Sequence, residues 1–160
     1  MLLYRLKSLL LTMACGLLLA ASLGVVAGQR AMAGTVYFSV QDGIAIRGYD
    51  PVSFFFAETP ARGHRSHAVM WKGAVWLFQS AENQSRFESN PRAFAPRFGG
   101  HCAYGMARGR MSDGDPLAWE IVDGQLFLFH NQRVEDLWRA NHDAMIQAAR
   151  AVWPDILRGE

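Results

Sequence analysis

The sequence predicts a small α+β domain: an antiparallel sheet built from hairpins, packed with a short helix and a longer C-terminal helix. Three features carry this. Two pairs of apolar segments are joined by the two-residue turns Lys72-Gly73 and Asp123-Gly124. A short segment, 81–89, lies between Ser80 and Asn90-Pro91. A longer amphipathic stretch covers about 132–151. Hairpins interspersed with helices around one core read as α+β.

In chain order, Ile44-Ala45-Ile46 is an early strand, followed by a turn at Gly48-Tyr49-Asp50-Pro51. Ala68-Val69-Met70-Trp71 and Ala74-Val75-Trp76-Leu77-Phe78 form the first hairpin. Pairing Trp71 with Ala74 puts His67, Val69, Trp71, Ala74, Trp76 and Phe78 on one face, the better core candidate. Ser80 is the N-cap of the short helix, which Asn90-Pro91 stops. The second hairpin joins 117–122 to 125–129 through Asp-Gly, a strong hairpin signal. Leu126, Phe127, Leu128 and Phe129 make its second strand apolar on both faces, as expected of a central strand. Val134, Leu137, Trp138, Met145, Ala148 and Val152 mark the apolar side of one last helix, capped by Asn131 or Asn141 and ended by Pro154.

The chain has 160 residues and a formal charge of +2. Residues 1–33 hold Arg5, Lys7 and Arg30 and no acid, which leaves 13 basic against 14 acidic side chains in 34–160. That near-neutral remainder lacks the basic surface a nucleic-acid binder uses to neutralise phosphates, so no nucleic-acid partner is expected. With 51% apolar residues over its 160 positions, the chain as a whole is not disordered. A segment of this length holds one domain.

Arg5 and Lys7 precede an apolar run over 8–26, followed by the small-x-small site Ala31-Met32-Ala33. This is the pattern of a signal peptide over 1–33, cleaved after Ala33 or, as second choice, after Ala27. An uncleaved N-terminal anchor is the alternative, and the only membrane contact expected. Either way the domain is exported, with the periplasm as its expected location.

Of two cysteines, Cys15 falls in the leader and Cys102 stands alone in 34–160. A lone thiol in an oxidising compartment is inert and buried, a ligand, or reactive. It sits in Phe98-Gly99-Gly100-His101-Cys102-Ala103-Tyr104-Gly105, where three glycines point to a shaped loop. The neighbouring His101, or loop amides, would favour a thiolate, and Tyr104 would donate a hydrogen bond to it or simply pack. A reactive thiol must be partly accessible. His64 and His67 lie three apart ahead of the first hairpin; with His101 and Cys102 they are the candidate ligands for copper or zinc, although their spacing does not demand a site. His130 and His142 read as solvent-facing or helix-start residues.

Asp50-Pro51-Val52, the strand Trp71 to Ser80 and Phe87-x-x-Asn90-Pro91-x-x-Phe94 together resemble a YHS domain. The tract from Ala95 to Gly105, followed by Asp115-Pro-Leu-Ala-Trp119, is similar to the exported YHS-domain (seleno)protein branch, whose Gly-Gly-x-Cys-Ala-Tyr-Gly motif admits selenocysteine at the cysteine. The resemblance covers roughly residues 40 to 155 and implies a chemically reactive position at Cys102. Many metal-associated YHS domains carry cysteines where this chain has Ser53, Gln79 and Asn83, so their soft ligands are missing. Two functions stay open. One is a thiol redox role for Cys102, which needs a partner thiol protein or a small thiol to complete a disulfide cycle. The other is a non-enzymatic module that binds a metal ion or serves a protein contact.

Overall fold

The structure, a computed structural model, describes residues 37–158, with side chains through residue 155. The expected leader over 1–33, both cleavage sites and Cys15 lie outside the described residues.

Strands β1 (Val40–Gln41), β2 (Ile44–Ala45), β3 (His64–Trp71) and β4 (Ala74–Phe78) form one sheet in the order β1-β2-β4-β3. Strands β5 (Asp115–Val122) and β6 (Gln125–Phe129) form a second sheet of two strands. The helices are α1 (Ser53–Phe56), α2 (Ala81–Ser89), α3 (Pro91–Phe94), α4 (Ala103–Met106), α5 (Gln132–Arg139) and α6 (His142–Arg158). The α+β class holds.

Both hairpins form as their turns dictate. Lys72 and Gly73 have φ of 48° and 80°, and Asp123 and Gly124 have 51° and 69°. Two positive φ values in succession are the type I′ signature that matches strand twist. Trp71 pairs with Ala74 and Val69 with Trp76, the expected register, but a bulge between His64 and Ala68 sets His64 rather than His67 opposite Phe78. Ser80 caps α2 by accepting from the Asn83 amide, and Asn131 caps α5 by accepting from the Val134 amide.

Four expectations are corrected. The first sheet is mixed rather than antiparallel, because β2 runs parallel to β4 with Ile44 opposite Val75. Strand β6 is not central in a larger sheet; its two faces are covered by two separate clusters. Leu126 and Leu128 face Trp76, Phe54 and Phe87, whereas Phe127 and Phe129 face Trp138, Met106 and Phe98. The C-terminal segment is two helices, α5 and α6, broken at Ala140 and Asn141, and Pro154 lies inside α6 rather than ending it. Finally, Leu137 is exposed while Glu135 is buried, so α5 turns a different side to the core than apolar spacing alone suggests.

Glu135 is 3% exposed. It accepts from Gln132 Nε2 and pairs with Arg139, which also reaches Glu120 at 3.7 Å. Burial raises its pKa above the ordinary 4.5, with Arg139 opposing the shift. The folded state then holds the proton more tightly than the unfolded chain. This contribution to stability is full below the unfolded pKa and is lost as pH rises through the elevated folded value. Glu135→Gln should therefore flatten the decline in stability just above pH 4.5. Urea midpoints of both proteins across that interval check this; parallel curves would contradict it.

Candidate functional site

The glycine loop leads from α3 into α4 beside β6. Phe98, Gly99 and Gly100 take φ of 52°, 64° and 80°, a left-handed run that turns the chain sharply. At Gly99 a side chain has no room, since a Cβ there would lie 1.7 Å from the Tyr37 carbonyl oxygen. His101 then bridges to Asp113 and Cys102 to Leu128, which ties the loop to β6 and its approach. The Cys102 amide donates to the Ser112 carbonyl at 2.8 Å.

Cys102 is 2% exposed, which corrects the expectation of a partly accessible thiol. It occupies the N-cap of α4, and Sγ accepts from the Gly105 amide at 3.4 Å. His101, 4% exposed, has extended backbone, so adjacent side chains leave the chain on opposite sides. Its Nδ1 approaches the Asp113 carboxylate at 4.0 Å and its ring lies 6.1 Å from the Trp153 ring. The imidazole thus faces Asp113 and Trp153, and Sγ faces the start of α4. Tyr104 packs against the cluster around Trp138, with the Arg108 guanidinium 3.6 Å above its ring.

His64 and His67 sit on β3, an edge strand of the other sheet, where His64 is exposed and His67 half-buried. Among the described residues no three His, Cys, Asp or Glu side chains gather as a group able to hold a metal ion. The four expected ligands of copper or zinc, Cys102, His101, His64 and His67, do not form a site as they stand.

A second polar centre escaped sequence reasoning. Asp50 is fully buried. Its Oδ1 accepts from the Val52 amide at 2.8 Å, and its Oδ2 accepts from the Gln79 amide at 3.0 Å and from Asn83 Nδ2 at 2.6 Å. Ser53 Oγ donates to the Asp50 carbonyl at 2.7 Å and accepts from the Ala61 amide at 2.9 Å. One carboxylate thus ties α1, the end of β4 and α2 together. Ser53, Gln79 and Asn83 surround this aspartate. The available signal was Asp50-Pro51-Val52, read as a turn and as part of the YHS resemblance but not as a buried anchor.

Comparisons with models of protein families, with curated proteins and with solved structures find no match.

Proposed function

We propose that the chain is an exported YHS-like domain that works by binding rather than by self-contained catalysis, with Cys102 as an internal structural thiol. The observation that carries this is the state of Cys102: 2% exposed, with Sγ engaged by the Gly105 amide. Attack on a disulfide requires access to the sulfur. The YHS resemblance is supported by the convergence of Ser53, Gln79 and Asn83 on Asp50. In this chain Ser53, Gln79 and Asn83 offer no thiolate and instead bond Asp50. Export rests on the charged, apolar and small-residue pattern of 1–33.

One observation favours a second reading, in which Cys102 reacts with a partner thiol protein or a small thiol after the loop opens. Phe98 holds φ of 52° three residues before His101. Left-handed backbone at a bulky residue is strained, and such strain clusters at working sites.

Alkylation separates the two. Under native conditions Cys102 should label about 100-fold more slowly than in the unfolded chain, because labelling waits for opening. Cys102→Ser should keep the cap and the fold, and Cys102→Ala should lose about 1–2 kcal/mol. Labelling of the native domain at the rate of a free thiol, with a midpoint below that of an ordinary cysteine, would instead establish the redox reading.

A further inference from the structure

One concavity lies away from Cys102, where four distant stretches of chain meet: the residues before β1, the β3–β4 turn, the segment around α3 and the C-terminal helix α6. It measures about 430 Å³, within the range of small-molecule sites. Lys72, Arg92, Arg97 and Arg150 line it, and among the described residues no acidic side chain does. None of the four pairs with a carboxylate among the described residues. Arg150 reaches only the neutral Gln125 amide, at 3.2 Å, and Lys72 lies over the rings of Tyr37 and Trp71 at 4.7 and 5.1 Å.

Like charges gathered around one hollow repel one another, and an anion in the middle relieves that repulsion. The walls add a second requirement. Trp71, Trp153 and Tyr37 present aromatic surface, and Trp153 is held edge-on to Tyr37 at 5.5 Å and to Phe98 at 6.0 Å. Flat rings seat well against such walls, and guanidinium groups grip oxyanions through paired N–H donors.

We propose that this pocket binds a small organic dianion of the phosphate-monoester class whose charged group is joined to a flat ring. The oxyanion sits among Arg92, Arg97, Arg150 and Lys72, and the ring lies against Trp71 and Trp153. This goes beyond the binding role proposed above and does not depend on the state of Cys102.

Naphthyl phosphate, titrated into the purified full chain, is the probe, followed by tryptophan fluorescence and calorimetry. One saturable site is expected. Neutral naphthol and inorganic phosphate should each bind at least about tenfold more weakly, since each supplies only half of the contact. Arg97→Gln and Arg150→Gln should each weaken naphthyl phosphate by about tenfold while leaving the melting temperature unchanged, because both side chains are exposed. Rising salt should weaken binding progressively. Naphthol binding as well as its phosphate, or unchanged affinity in the Arg97→Gln/Arg150→Gln double variant, would overturn the proposal. So would binding confined to vesicles of anionic phosphatidylglycerol, which would make the basic rim a membrane-facing surface.

Discussion

Asp50→Ala should destabilise the domain by about 3–5 kcal/mol, the scale for leaving buried partners of a charge unpaired. The alanine strips the acceptor from the Val52 amide, the Gln79 amide and Asn83 Nδ2 at once, in a place that water does not reach. For a domain of this size the melting temperature should fall by roughly 10–20 °C. Asp50→Asn is the finer probe. It keeps one oxygen, which can still serve Val52, but turns an NH₂ group toward donors, so an intermediate loss is expected. Urea or thermal unfolding of the three proteins tests the assignment. A loss below about 1 kcal/mol for alanine would mean that the carboxylate is not the tie between α1, β4 and α2.

Gly114→Ala should be nearly as severe and should act on the thiol as well. A Cβ at Gly114 would fall 2.5 Å from the Gly100 carbonyl oxygen and 2.6 Å from Leu128 Cβ. Neither is the end of a flexible side chain, so the glycine loop must move off β6. Overpacking of this kind typically costs about 1–3 kcal/mol, and the upper end is expected here. Because Cys102 bridges to Leu128, the shift should also speed alkylation of the native protein. Gly109→Ala is the control: it adds a methyl at φ of 68° with nothing within 4 Å, so it strains the backbone without touching the loop. If Gly114→Ala labels no faster than Gly109→Ala, the close approach does not guard the thiol.

The hairpins were legible because their information is local. Lys72-Gly73 and Asp123-Gly124 sit between apolar runs, and turn chemistry then sets register. The pairing of Ile44 with Val75 was not legible, since no local signal tells a two-residue strand which distant neighbour it will meet. The apolar residues around Ala140 fit one continuous helix, so periodicity could not show the break; tertiary packing decides it. The same packing buries Glu135, which satisfies its charge with Arg139 and Gln132. At the candidate site the sequence marked the glycine loop and Cys102 within it. It could not show that Cys102 is buried, because that burial is set by the fold around the loop. Arg92, Arg97, Lys72 and Arg150 were invisible as a group for the same reason: only the fold brings them to one hollow.

The position of β6 between two clusters governs how the domain comes apart. Alternate side chains of one five-residue strand belong to different hydrophobic cores, so neither core can dissolve without stripping a face of the strand that the other needs. Partial melting that spares one half would leave Leu126 and Leu128, or Phe127 and Phe129, uncovered in water. The halves should therefore melt in a single cooperative transition, with the amides of β6 in the last group to exchange with solvent. A ligand held at the rim by residues from both ends of the chain would draw on that cooperativity, because its binding energy would stabilise every element at once.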